Sequence, residues 1–144
     1  MYLLERIDAW SERHHPKWID VFRILLGLIL IWKGFYFTRH TQDLVALTNS
    51  ITLDYYAGTI AHYVIGVHIV GGMLIAIGLL TRAAVLFQLP AMIGALVVSA
   101  YGSTLNIAAE PELVVLILLL LLFFLLEGSG RFSVDEYLRK HPDE

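Results

Sequence analysis

From Leu113 to Leu126 the chain carries no side chain with a polar atom. A helix that is apolar all round cannot lie on the surface of a water-soluble domain; it is buried or it faces lipid. Three comparably apolar stretches precede it, at about residues 18–37, 59–80 and 83–101, and the last stretch extends over about 112–127. A membrane-crossing helix needs about 20 mostly apolar residues to cover roughly 30 Å of hydrocarbon. Little of the 144-residue chain is left over. The expected architecture is therefore all-α: an integral membrane four-helix bundle spanning 1–144 as one domain, with short interfacial helices at both termini. Composition agrees, since 58% of residues are hydrophobic and only 16% charged. A soluble domain this small exposes a large share of its surface and needs more polar residues to cover it.

The formal net charge is −3, from 10 basic and 13 acidic side chains, so no basic excess favours nucleic acid. Cysteine is absent, which excludes disulfides, Cys-ligated zinc, iron–sulfur clusters and thiol chemistry carried by this chain. In the connections, Arg6, Arg13, Lys17, Arg82, Arg131, Arg139 and Lys140 fall on one side of the bundle and Arg39 alone on the other. The positive-inside bias puts both termini in the cytoplasm and predicts a multi-pass protein of the inner (cytoplasmic) membrane.

The ends read as interfacial. Leu3, Ile7 and Trp10 recur at helical spacing between charged residues. That pattern predicts an amphipathic helix on the membrane surface rather than a cleavable signal peptide. Ser133-Val134-Asp135-Glu136 has the form of a capping box opening a short helix. Leu44, Leu47 and Ile51 predict a turn of interfacial helix within the connection 38–58, where Tyr55 and Tyr56 suit the headgroup belt.

Lipid supplies no hydrophobic drive between helices, so close packing depends on small residues. Gly27 and Gly34 share a face of span one, Gly66, Gly71, Gly72 and Gly78 punctuate span two, and Gln88, Ala91, Ala95, Ser99 and Gly102 form a seam in span three. Pro90 should kink span three near Leu86. The featureless fourth span is expected at the periphery or against a partner.

Ionisable side chains within spans are costly and usually face a cavity or a partner. Asp20, Arg23, Arg82 and Glu127 collect near the cytoplasmic ends and are read as structural ion pairs. Lys33, His62, His68, Glu110 and Glu112 are expected in the outer half as a ligand-binding or proton-handling cluster. The plainer alternative is a Lys33–Glu112 structural pair beside a hydrogen-bonded core histidine. No metal site is expected, because His62 and His68 point about 120° apart on a helix.

Three segments resemble the DoxX-like membrane proteins. They are Arg23-Ile-Leu-Leu-Gly27-Leu followed by Lys33-Gly34, the run from His68 through Gly71, Gly72 and Gly78 to Thr81-Arg82, and the segment Glu127-Gly128-Ser129-Gly130-Arg131-Phe132-Ser133-Val134-Asp135. The resemblance implies a four-helix inner-membrane protein. It brings associations with thiosulfate:quinone oxidoreduction, methylamine-dehydrogenase maturation and membrane complexes of oxidative-stress defence. Arg23, Lys33, Gly71, Gly72, Arg82 and Arg131 fit the family pattern. His68 stands where the pattern has Glu, and Glu127 replaces an apolar or small residue.

The leading functional expectation is a quinone-linked redox or accessory subunit with no intrinsic cofactor, quinone being the candidate ligand. Its partners would be the lipid bilayer and a redox protein, with homo-oligomerisation open. The alternatives are a non-catalytic scaffold or assembly partner, and a small transporter or channel working as an oligomer.

Overall fold

Helix α1 (Lys17–Arg39) begins the bundle, and His40 alone separates it from the short helix α2 (Thr41–Asn49). The turn is held by local bonds: Thr41 Oγ1 donates to the Thr38 carbonyl at 2.8 Å, and the Leu44 N–H to the His40 carbonyl at 3.0 Å. Helix α3 (Asp54–Gly66), a π-helical turn (Val67–Gly71) and α4 (Gly72–Ile77) follow without a break and form one rod. Helices α5 (Thr81–Ala100), α6 (Pro111–Glu127) and α7 (Val134–Lys140) complete the chain. The computed structural model describes residues 2, 3, 5, 6, 9, 17–49, 54–100, 111–128 and 134–142, and among them there is no strand.

Among the described residues three helices are long and apolar enough to cross a membrane: Lys17–Arg39, Tyr55–Ile77 and Thr81–Ala100. Their outer faces carry large apolar side chains that the protein leaves uncovered, among them Trp18, Phe22, Trp32, Met73, Phe87 and Ile93. So large an apolar surface is untenable in water and natural in lipid.

The second rod starts at Asp54, before the expected 59, so Tyr55 and Tyr56 belong to the helix and not to a loop. The helix runs through Gly58, where a methyl group would meet nothing within 4 Å. The rod ends at Gly78, which adopts the left-handed conformation with φ of 75°. The Leu79 N–H bonds the Leu74 carbonyl at 2.9 Å and the Gly78 N–H the Ile75 carbonyl at 3.2 Å. This paired arrangement closes the helix where only glycine turns without strain. Pro90 lies inside α5 without ending it.

Packing follows the small residues. A methyl group on Gly27 would stand 2.6 Å from the Gly72 carbonyl oxygen, and one on Gly34 would stand 2.6 Å from Ile69 Cγ1. Helix α1 and the second rod therefore touch backbone to backbone. Leu26, Leu30, Ile75, Val85, Met92, Val114, Leu121 and Phe124 fill the core. Helix α6 packs chiefly on α5. It buries Val114, Leu121 and Phe124 and leaves Leu113, Leu116, Leu119 and Leu126 uncovered, a peripheral placement.

At the amino end Tyr2, Leu3, Glu5, Arg6 and Ala9 are helical, while Ile7 and Trp10 lie outside the described residues. So do Ser133 of the capping box, Ile51, Gly102, Glu110 and Arg131.

Candidate functional site

The inward side chains of α1 recur as Ile19, Asp20, Arg23, Leu26, Gly27, Leu30, Gly34 and Phe37, one stripe along the helix. The stripe carries a charged group at one end and borders a cavity at the other.

At the charged end, Arg23 Nη1 bonds Asp20 Oδ1 at 2.8 Å, and Arg23 Nε donates to the Ile75 carbonyl at 3.1 Å. Arg23 is 1% exposed. The guanidinium thus serves a carbonyl in the last turn of α4, where the helix dipole favours a cation. Arg82 Nη2 donates to the Leu126 carbonyl at 3.2 Å, tying the start of α5 to the end of α6. Glu127, the next residue, is buried. Gly128 follows with φ of 82° and lies against the Arg82 guanidinium. Asp20, Arg23, Arg82 and Glu127 sit near helix ends, where the two arginines tie α1 to α4 and α5 to α6.

The other end holds a cavity of about 350 Å³ lined from α1, α2, α3, the π turn, α5 and α6. Its walls are mostly apolar, with Leu30, Phe37, Leu44, Val64, Met92, Val98 and Val114 among them. Lys33 and His68 are the basic groups on the wall, accompanied by the hydroxyls of Tyr63, Thr48 and Ser99. Lys33 is half-buried, its Nζ 4.9 Å from the Tyr36 ring centre and 5.2 Å from that of Phe37. A cation over aromatic faces keeps part of its stabilisation when water is lost. Among the described residues Lys33 forms no salt bridge.

His68 enters through the π turn. Such a turn interrupts the regular hydrogen-bond ladder and often marks functional sites. His68 Nδ1 lies 2.8 Å from the Val64 carbonyl. A carbonyl only accepts, so Nδ1 carries the hydrogen and Nε2 is left as an acceptor. The Phe37 ring meets the imidazole edge to face at 5.2 Å. Behind it, Gln88 Nε2 lies 3.3 Å from both ring nitrogens. Gln88 is 0% exposed, and its Oε1 has no hydrogen-bond partner among the described residues.

The expected outer cluster is thus brought together only in part. Lys33 and His68 share the cavity. His62 does not reach it: its side chain is exposed and turns back to the Gly58 carbonyl at 2.7 Å. Glu112 is exposed at the start of α6 and does not line the cavity. Glu110 lies outside the described residues. Sequence reasoning placed Gln88 in a packing seam and missed its contact with His68. The signal was available, because a buried amide in an apolar helix needs a partner and His68 is the inward polar group opposite. Gly94, another wall residue, faces open space and went unnoticed because no pattern marks an empty face. The aromatic and hydroxyl parts of the wall, Phe37, Tyr63 and Thr48, were equally invisible without the fold.

Three long apolar helices around a cavity define a polytopic membrane protein with an internal, mostly apolar site. Residues 19–100 match the DoxX family, more than half of the chain, and the chain belongs to that family. The match contains the first two resembling segments and not the closing Glu127–Asp135 one. No curated protein and no solved structure matches the chain.

Proposed function

We propose that this DoxX-family protein binds a quinone in the cavity and acts as a quinone-linked redox or accessory subunit. The observation that carries the reading is the pairing, on one wall of an apolar cavity of about 350 Å³, of Lys33 with His68. Pockets of roughly 300–1,000 Å³ with apolar walls and few polar groups suit small ligands. A quinone ring is planar and apolar on its faces and accepts hydrogen bonds at its carbonyl oxygens. Lys33 supplies a donor without a described counter-ion, and Phe37 and Tyr63 supply aromatic surface. In the reduced ligand the carbonyl becomes a hydroxyl, which His68 Nε2 accepts. That reduction takes two electrons, supplied by a redox partner protein, and two protons, drawn from water at the membrane surface.

The same reading makes α6 a fourth span. Its 17 residues rise about 25 Å, a little short of the hydrocarbon thickness, which local thinning accommodates. It also places both termini in the cytoplasm and the cavity in the outer half of the cytoplasmic membrane, from the Lys and Arg distribution.

The test is mass spectrometry of protein gently extracted from its own membranes, reading bound small molecules and co-purifying chains together. A near-stoichiometric quinone that disappears in Lys33→Ala is expected. Protein that leaves the membrane without quinone but with a reproducible partner would replace the proposal with a scaffold role.

A further inference from the structure

We propose that the cavity is loaded sideways from the lipid, through the gap between α3 and α5, and that its ligand is an amphiphile with a lipid-lodged tail. The proposal deepens the quinone reading and rests on the same cavity. Its polar ring would lie at Lys33 and His68, and its tail would leave past Ile60, Tyr63, Pro90 and Gly94.

The helices around the cavity are not equally joined. Helix α5 packs against α6, the π turn and α4, and α1 packs against the second rod and touches α6. Helices α3 and α5 are not a packed pair, although both line the cavity. The rim of their gap is uncovered: Tyr63 is 38% exposed, and Pro90 is exposed beside it. Gly94 leaves the α5 side open, since a methyl group there would meet nothing within 4 Å. The described rim residues Ile60, Tyr63, Pro90 and Gly94 carry no charge, so the rim suits an apolar chain and opposes a hydrated ion. The polar groups come from elsewhere, Lys33 from α1 and His68 from the π turn. An entering molecule therefore meets apolar rim first and polar wall last, the order that seats an amphiphile head inward.

One end of the gap is tied shut. The Tyr63 hydroxyl donates to the Phe87 carbonyl across it. Pro90 lacks a backbone N–H and weakens the ladder over the preceding turn, so a carbonyl there is available to a neighbouring helix. Tyr63 both lines the cavity and forms this tie, which limits the opening to the stretch between Phe87 and the α2 end of the bundle.

The absence of cysteine makes the test direct. Val98 is buried on the cavity wall, so in Val98→Cys the introduced thiol reacts only with reagent that has entered. Dodecyl methanethiosulfonate, a lipid-partitioned thiol reagent, is added to Val98→Cys protein in proteoliposomes. Gly94→Phe in that background should slow labelling about tenfold or more, because a bulky ring then fills the open side of the gap. Leu113→Phe, on the α6 wall and away from Gly94 on α5, should leave the rate within about twofold. Gly94→Leu serves as a second closing variant if the phenylalanine disturbs assembly. Equal labelling in all variants, or slowing by Leu113→Phe alone, would overturn the α3/α5 entry. Decylubiquinone added beforehand separates this proposal from the quinone reading. Failure to protect the thiol, with labelling still sensitive to Gly94→Phe, removes quinone and keeps the lateral entry.

Discussion

Gly27 and Gly72 meet backbone to backbone: a methyl group on Gly27 would stand 2.6 Å from the Gly72 carbonyl oxygen, and one on Gly72 2.8 Å from the Gly27 carbonyl oxygen. The contact is reciprocal, and on both sides the nearest atoms are backbone, which cannot give way as a flexible side chain does. Close approach of this kind lets dispersion and weak Cα–H contacts hold helices in lipid, where hydrophobic drive is missing. It also fixes the height at which α1 presents Lys33 to the second rod.

Gly27→Val should therefore separate α1 from the rod and destabilise the protein by about 1–3 kcal/mol. Gly94→Ala should be neutral or stabilising by up to about 1 kcal/mol, since it faces open space and gains helix propensity. Thermal unfolding in detergent, followed by size-exclusion recovery, compares them. Equal loss in both variants would mean that the Gly27 contact does not hold the bundle.

Arg23→Met should cost about 3–5 kcal/mol, because it leaves the Asp20 carboxylate buried without its cation. The double change Arg23→Met with Asp20→Leu should recover much of that loss, since a matched apolar pair carries no desolvation penalty. Arg23→Lys should rescue poorly, as one ammonium cannot reach Asp20 and Ile75 along two guanidinium directions. The readout is the midpoint of unfolding across the three variants; a full rescue by lysine would refute the two-directional role.

Tyr63→Phe keeps the ring and removes the tie to Phe87. A loss of about 0.5–1.5 kcal/mol is expected, in the range of interhelical hydrogen bonds in membranes. Amide hydrogen exchange should rise in α5 on both sides of Pro90 and stay unchanged in α6. Uniform exchange throughout α5 would count against a local tie.

Gln88→Leu should leave the protein as stable as before, or more stable, because the amide already leaves its Oε1 without a partner among the described residues. Quinone retention in the cavity should nonetheless fall, since Gln88 backs the His68 ring. Unfolding midpoint and bound quinone are measured on the same preparation. A drop in stability with retention intact would reverse the assignment and make Gln88 a packing residue.

The long apolar stretches around Leu26, Val70 and Val85 are legible in sequence because lipid imposes one requirement on every residue of a span. Backbone groups must bond internally and side chains must be apolar, so length and composition alone mark the helix. Arg23, Gly27 and Gly34 share a face for the same reason, through the helical repeat. The one-sided arginine and lysine distribution is likewise a linear property of the chain.

Which of the polar residues meet was decided by tertiary structure. Both His62 and His68 bond the carbonyl four residues back on their own helix, yet His62 is exposed away from the cavity and His68 is buried on its wall with Lys33. The π turn that carries His68 has no residue signature, and it changes the direction of the side chains beyond it. The cavity itself comes from what is missing: a side chain at Gly94 and a packed contact between α3 and α5. Periodicity registers where apolar atoms are, whereas an empty space exists only once the helices have taken their positions.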